Sequence, residues 1–283
     1  MSSGASRVRR AQRCACWLLL VVWGCAVPLQ EPSELRTDAA RAMQRGRDAA
    51  EARRFEVSEA AHLRAAEIYA ALDDAPAEAD ARFAASEASR RAGRIDEACA
   101  QVVRALALDR GIARESAVAR DLAGLARCES ARGRLDVAID HADEALELAR
   151  GEAALEAALQ SDLALLLLRR ASAGDAERSR KLLLAALRTS ELQADARGAA
   201  TARLHLGSAA LALGDAERAQ SELQHALEAF RALDDPAGIA HAHEALAVLY
   251  ARRDEDRARY HREQAREGFA FLEDEAGLAR LGR

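Results

Sequence analysis

An alanine recurs along this chain at intervals of 39 to 41 residues, six times in all. Each copy lies in a segment whose apolar residues follow the spacing of an α-helix. Twelve residues before each alanine stands a glycine or an arginine, so a second landmark keeps the same period. A period near 40 residues indicates an array of stacked helical repeats, each packed against its neighbours. The alanines are Ala65, Ala105, Ala145, Ala186, Ala226 and Ala265.

The composition supports a helical chain. Half of the 283 residues are hydrophobic but only 4% are aromatic, and there are four prolines. Alanine and leucine supply most of the apolar material, and both are strong helix formers. No segment shows the alternating β-branched and aromatic pattern of a strand. The sequence therefore predicts an all-α protein.

The second landmark predicts where each first helix ends. A glycine there can take the left-handed conformation that follows a helix C-terminus. Five residues later comes a small residue, and seven residues after that the repeated alanine, so both positions should lie where helices approach closely. The landmark residues are Arg53, Gly93, Gly133, Gly174, Gly214 and Arg253.

This spacing of glycine, small residue and alanine resembles the tetratricopeptide repeat, in its long-helix class of about 40 residues. Gly46 and Gly207 also match the glycine of that family's first helix. The first-helix aromatics typical of the family are mostly absent. The resemblance implies a right-handed superhelical solenoid of about six helix-turn-helix repeats over residues 35–273. Residues 274–283 are expected to be a truncated capping segment.

The N-terminus has the pattern of an export signal. Four arginines precede an apolar run from Cys14 to Trp23, which is shorter than the roughly 20 residues that a membrane-spanning helix needs. The residues Val22-Trp23-Gly24-Cys25 resemble the lipobox of bacterial lipoproteins, although Trp23 departs from it. The resemblance implies that residues 1–24 are removed, that Cys25 is acylated, and that residues 25–34 form a tether. An ordinary cleaved signal and an uncleaved anchor extending to Val27 are the alternatives.

Chemistry-bearing motifs are sparse in the repeats. His241 and His243 lie two residues apart on a helix and point in different directions, so no metal site is expected. No phosphate-binding loop or nucleophile elbow occurs, and no cofactor is expected. The net charge of −5 and the lack of a polybasic stretch argue against a nucleic-acid partner. Neither catalysis nor a small-molecule substrate is expected.

Two smaller patterns carry structural expectations. The acidic pairs Asp73-Asp74 and Asp234-Asp235 stand at helix junctions, where capping explains them. Cys99 and Cys128 belong to adjacent predicted helices. They could form a disulfide or serve as two small buried hydrophobic residues.

The resemblance to tetratricopeptide repeats also implies a peptide-binding groove lined by first-helix positions. Its arginine excess would suit a peptide with acidic or C-terminal carboxylate groups. Alternatively, these side chains form a solvated surface that links repeats through salt bridges. The groove residues carried over are Arg47, Glu87, Arg90, Arg120, Arg127, His243 and Tyr250.

The function expected from the sequence is a non-enzymatic scaffold or assembly factor with a protein or peptide partner. It would be a lipid-anchored lipoprotein of the bacterial cell envelope, facing the periplasm, with the outer membrane favoured. A partner-binding or sensor module of an intracellular regulator, with an unprocessed N-terminus, is the second interpretation. A hydrolase of the envelope is the third, and it would need a catalytic cluster that the sequence does not show.

Overall fold

The computed structural model describes residues 32–282, and that range contains thirteen α-helices and no β-strand. The helices are α1 (Pro32–Glu51), α2 (Phe55–Ala71), α3 (Ala75–Arg91), α4 (Ile95–Gly111), α5 (Glu115–Ala131), α6 (Leu135–Leu148), α7 (Ala153–Arg170), α8 (Asp175–Leu192), α9 (Ala196–Ala212), α10 (Ala216–Ala232), α11 (Pro236–Tyr250), α12 (Glu255–Phe271) and α13 (Glu275–Leu281).

The helices form six consecutive antiparallel-type pairs, from α1–α2 to α11–α12, followed by the short α13. Each helix packs on the next one along the chain. First helices of successive pairs also contact each other, in the order α3, α5, α7, α9 and α11. The predicted all-α solenoid of six helix pairs is confirmed.

The N-terminal predictions fall largely outside this range. Residues 1–24, the predicted signal, and Cys25 are not among the described residues. The helix α1 begins at Pro32, so residues 32–34 of the predicted tether are helical. Between residues 32 and 282, none of the helices combines the length and apolarity needed to cross a bilayer.

The six repeated alanines lie where consecutive helices meet. None has more than 1% of its surface exposed. The small residues seven positions earlier, such as Ser58, Ala98 and Ala219, are equally buried. Side chains of this size let helix axes approach closely, and leucines and valines fill the space beside them. The predicted packing positions are confirmed.

Four of the six turns between paired helices have the predicted left-handed residue after the first helix; the turns at Gly174 and Arg253 differ. Gly93, Gly133 and Gly214 each adopt a φ of 78°, the left-handed region that costs glycine nothing. Arg53 adopts the same region, with a φ of 57°. In the fourth pair Ala171 takes the left-handed turn and Gly174 follows it as the cap of α8. The longer turn accompanies the 41-residue interval in the repeat.

Aspartates begin several first helices, as predicted for the two acidic pairs. The second residue of each pair is the N-cap: Asp74 accepts a hydrogen bond from the backbone N–H of Ala77, and Asp235 from that of Gly238. The first residue of each pair has a positive φ, of 54° and 48° respectively. Capping therefore accounts for both pairs.

The two body cysteines are buried and unbridged. Cys99 on α4 and Cys128 on α5 are free thiols in hydrogen-bond contact. Burial, together with the neighbouring thiol, raises the pKa of Cys128. Both act here as small core residues, the second of the two sequence interpretations.

Candidate functional site

The first helices α1, α3, α5, α7, α9 and α11 lie side by side and form one surface of the array, which we call the first-helix face. Six of the seven predicted groove residues fall into three groups. Glu87, Arg90 and Arg127 form one ion-pair group, and His243 and Tyr250 belong to one aromatic cluster. Arg120 belongs to a separate carboxylate cluster beside α4.

Arg127 links three consecutive first helices. Its guanidinium donates from Nη2 to Oε1 of Glu87 on α3 at 3.0 Å, and from Nη1 to Oδ2 of Asp162 on α7 at 3.0 Å. Arg90 donates to the other oxygen of Glu87 at 3.0 Å. Burial acts to raise the pKa of Glu87, but the charges of Arg127 and Arg90 outweigh it and lower that pKa. The group is close to neutral overall and joins α3, α5 and α7.

Arg120 holds a second cluster together. It donates to Oδ1 of Asp80 at 2.9 Å, to Oδ2 of Asp109 at 3.3 Å and to Oδ1 of Asp121 at 3.2 Å. Its guanidinium lies over the ring of Phe83, 4.4 Å from the centroid. Arg114 also pairs with Asp80 at 3.2 Å and with Asp109 at 3.1 Å. Removing Arg120 would therefore leave Asp121 as the buried carboxylate that has no cation among the described residues.

Asp109 and Asp121 are the most deeply buried carboxyl groups of this cluster, with no exposed side-chain surface. The two groups are in hydrogen-bond contact, and no other described residue donates a hydrogen bond to Oδ2 of Asp121. Burial raises the pKa of Asp121 to about 7, with the charge of Asp109 adding to the effect. A proton on Asp121 satisfies Oδ2 because it can be donated to Asp109.

Sequence reasoning missed these two aspartates, although a signal was available. Asp109 stands one repeat period after Tyr69 and one before Ala149, and Asp121 one period after Ala81. A carboxylate at a position where neighbouring repeats have an apolar or small residue marks a buried charge that requires a partner.

The ion pairs of the groove arginines agree with the salt-bridge interpretation without testing the binding one. Arg120 and Arg127 link repeats through salt bridges, as the alternative to ligand binding proposed. Each nevertheless keeps about 30% of its side chain exposed. Their outer faces therefore remain accessible, and a role in binding stays a prediction.

Arg47 occupies the N-terminal end of the first-helix face. It is exposed, and its guanidinium donates to Oε1 of Gln44 at 2.6 Å. Together with Glu87 it lines a cavity between α1, α2 and α3. Arg47 and Glu87 therefore line the same cavity. Arg47 does not belong to the ion-pair group that Arg127 forms.

His243 and Tyr250 are buried, with 2% and 5% of their surface exposed, so their predicted exposure on the groove is wrong. Both pack against α12, where Nδ1 of His261 lies 2.8 Å from Nδ1 of His243 and the ring of Tyr250 stacks on His261. Burial, with the neighbouring His261 and Arg231, lowers the pKa of His243 to about 4. The contact is explained by two neutral imidazoles, of which one donates its Nδ1–H to the Nδ1 of the other.

The histidines do not combine into a larger ligand set. Among residues 32–282, no three histidine, cysteine or carboxylate side chains are placed to hold a metal ion. The partners of His243 are aromatic rings and a second imidazole, so its role there is packing and hydrogen bonding.

Comparison with solved structures identifies the class of fold. The apo form of RapI matches with a TM-score of 0.72 and 12% identity, over 87% of each chain. The Rap conjugation gene regulator of plasmid pLS20, in complex with the Phr* peptide, matches with a TM-score of 0.67 and 14% identity, over 94% of this chain and 74% of the other.

A third match is a signal-transduction ATPase from Pyrococcus horikoshii that carries a tetratricopeptide repeat sensor. Its TM-score is 0.63 and its identity 17%, over 90% of this chain and 39% of the other. No protein-family model and no curated protein matches the sequence. The chain has the fold of tetratricopeptide-like helical-repeat proteins.

Proposed function

We propose that this chain is a non-enzymatic protein-protein interaction module that binds a peptide segment of its partner along the first-helix face. The observation that carries the proposal is the row of partly exposed arginines across consecutive first helices. Arg90, Arg120 and Arg127 are each about 30% exposed. Their positions are fixed by internal carboxylates, so little side-chain entropy is lost when a ligand binds.

An acidic or carboxylate-bearing peptide suits this surface. Arginine offers five N–H donors in a planar fork, and the internal carboxylates use only part of that capacity. A matched structure, the Rap regulator of pLS20, is in complex with a peptide. That complex supports peptide binding as the function of the same fold in this chain.

The clusters of titratable residues do not favour an enzyme. Asp109 and Asp121 are fully buried beneath Arg120, where no substrate atom could reach them. His243 is buried against His261 and Tyr250. General acid-base catalysis requires a group within hydrogen-bond reach of the substrate.

Photo-crosslinking tests the binding proposal directly. A photoreactive residue on the first-helix face should form a covalent adduct with a partner protein in intact cells, because short-lived contacts are trapped where they occur. The absence of such adducts would argue against binding at this surface.

We further propose that the module is exported and anchored in the bacterial cell envelope by lipid on Cys25, facing the periplasm. The arginine-rich start, the short apolar run and the pair Gly24-Cys25 support this location. Two or more acyl chains at Cys25 would hold the chain durably on the membrane. In this setting the module would serve as a scaffold or assembly factor for an envelope complex.

Substitution of the proposed lipidation site should change the location of the chain. We expect Cys25→Ser to abolish acylation, leaving the chain unprocessed or releasing it from the membrane. Cell fractionation with intact-mass measurement checks this, with Cys14→Ser as the matched control. Cleavage at another residue, or an unmodified Cys25 in the wild type, would exclude the lipoprotein assignment.

A partner-binding or sensor module of an intracellular regulator is the second candidate. It is favoured by the matches to a conjugation gene regulator and to a repeat sensor of a signal-transduction ATPase. This candidate requires an unprocessed N-terminus. Fractionation of the wild type and of the Cys25→Ser variant therefore distinguishes the two proposals.

A further inference from the structure

A cavity of about 260 Å³ lies at the N-terminal end of the first-helix face, between α1, α2 and α3. Its volume is below the range of pockets that hold drug-sized ligands, so it fits a single side chain and its neighbouring group. Five of its ten lining residues are apolar, and the polar ones include Glu87, whose charge is balanced by Arg90 and Arg127. The apolar lining residues are Met43, Ala50, Phe55, Ala84 and Ala88.

Two arginines border this apolar lining. Arg47 on α1 donates only to the amide of Gln44, and the guanidinium of Arg91 on α3 lies 5.9 Å from the ring centroid of Phe55. Within residues 32–282, neither arginine has an ion pair with a carboxylate. In this respect they differ from Arg120 and Arg127, whose charges are already balanced by internal carboxylates.

A buried histidine supplies an independent sign of a ligand. His62 lines the cavity with only 4% of its surface exposed, and within residues 32–282 its Nδ1 has no hydrogen-bond partner. Burial, together with the charge of Arg47, lowers the pKa of His62, so the imidazole is neutral at pH 7. A buried polar atom without a hydrogen-bond partner lowers the stability of the fold. A ligand group that forms this hydrogen bond would remove the cost.

The repeat itself shows that His62 is not required for packing. The equivalent position is aliphatic in four of the five later repeats, as in Val102, Leu183 and Leu223, and is the exposed Arg262 in the last. The ring of His62 packs on Gly46, as the side chain of Leu223 packs on Gly207. A leucine therefore fits this arrangement, and the imidazole at position 62 adds a hydrogen-bonding group that the fold does not need.

We propose that this cavity binds an apolar side chain with an adjacent carboxylate. The side chain would pack on Phe55 and Met43, the carboxylate would accept hydrogen bonds from Arg47 and Arg91, and Nδ1 of His62 would complete a polar group of the ligand backbone. The inference rests on the proposed function for the source of this ligand, a segment of a partner peptide. The carboxylate can come from an acidic residue after the apolar one or from the peptide C-terminus.

Isothermal titration of the full chain with three short peptides tests the site. The probes are acetyl-Gly-Leu-Glu-Gly-amide, its Gln analogue and acetyl-Gly-Gly-Leu with a free carboxylate. We expect at least one carboxylate probe to bind about tenfold more tightly than the Gln analogue, a difference of one charge-assisted contact. The tighter of the two carboxylate probes identifies the source of the carboxylate.

Variants separate a binding role from a structural one. Arg47→Gln and Arg91→Gln should each weaken the carboxylate probe severalfold and leave the Gln analogue unchanged. Arg104→Gln, an exposed arginine on α4, is the matched control and should have no effect. His62→Leu should keep or raise the melting temperature, because leucine occupies the equivalent site elsewhere, yet it should weaken all probes that bind.

Three results would overturn the inference: equal affinity for the carboxylate probes and the Gln analogue, affinities unaffected by Arg47→Gln and Arg91→Gln, or no binding at all. Self-association that Arg91→Gln abolishes, without probe binding, would instead assign the cavity to a second copy of the chain. If the probes fail while crosslinks to a partner still form elsewhere on the first-helix face, the cavity assignment is wrong and the proposed function stands.

Discussion

Arg120→Met is expected to destabilise the folded chain by about 2–4 kcal/mol at pH 8, somewhat less than the loss of a fully buried partner because Arg120 is partly exposed. The substitution keeps an unbranched apolar stem, and it removes the one group within residues 32–282 that contacts Asp80, Asp109 and Asp121 together. Urea unfolding followed by circular dichroism measures the loss. Arg104→Met, on an exposed arginine, is the matched control and should change stability little.

The destabilisation should depend on pH with a defined sign. The folded pKa of Asp121 is about 7, whereas an unfolded aspartate titrates near 3.9. Between these values the folded chain holds a proton that the unfolded chain releases, so this group favours folding at low pH and loses that contribution as the pH rises to about 7. The loss caused by Arg120→Met should therefore be smaller at pH 5 than at pH 8.

A second substitution isolates the carboxyl group. Asp121→Asn should remove this part of the pH dependence, and in the Arg120→Met background it should recover much of the lost stability at pH 8. An equal loss at pH 5 and pH 8, with no recovery in the double variant, would mean that Arg120 acts through packing on Phe83 and not through charge.

The second large effect is expected at the repeated alanines. Ala145→Leu and Ala226→Leu should each destabilise the chain by about 1–3 kcal/mol, because overpacking forces neighbouring helices apart. Both alanines are 0% exposed. Thermal unfolding measures the effect, and Ala100→Leu, at an exposed position on α4, is the control. Melting temperatures that stay unchanged in both variants would show that these alanines do not set the distance between repeats.

The fold could be predicted from the sequence because its determinants are local and periodic. The left-handed turn at Gly93 and the small residue Ala98 lie within a few residues of each other, and they recur with the repeated alanine. Six copies of one pattern constrain the helix pairs even though each copy is weak. The caps at Asp74 and Asp235 are equally local.

The ion pairs were harder to predict because the partners belong to different repeats. Glu87 and Arg127 are 40 residues apart, as are Asp80 and Arg120. Side chains at equivalent positions of adjacent first helices face each other across one repeat period. Opposite charges separated by that period are the sequence signal that would have predicted these contacts.

The aromatic cluster shows that the position of a residue within the repeat does not by itself predict whether its side chain is exposed. His243 and Tyr250 fall on first-helix positions that a polar groove would use, but α12 contributes His261, which covers them. The cavity near Arg47 was also beyond sequence reasoning, because it depends on the space that α1, α2 and α3 leave between them. Neither the covering side chain nor the empty volume has a periodic signature.

The proposed function places the bound partner on the first-helix face. The most direct test places a photoreactive phenylalanine at Leu165 or Ser208, on α7 and α9, and at the exposed residues Val57 and Val137 of α2 and α6 as controls. After irradiation of intact cells, mass spectrometry identifies the adducts. We expect a partner protein to be crosslinked from Leu165 or Ser208 and not from Val57 or Val137. Crosslinks confined to the two control positions would contradict it.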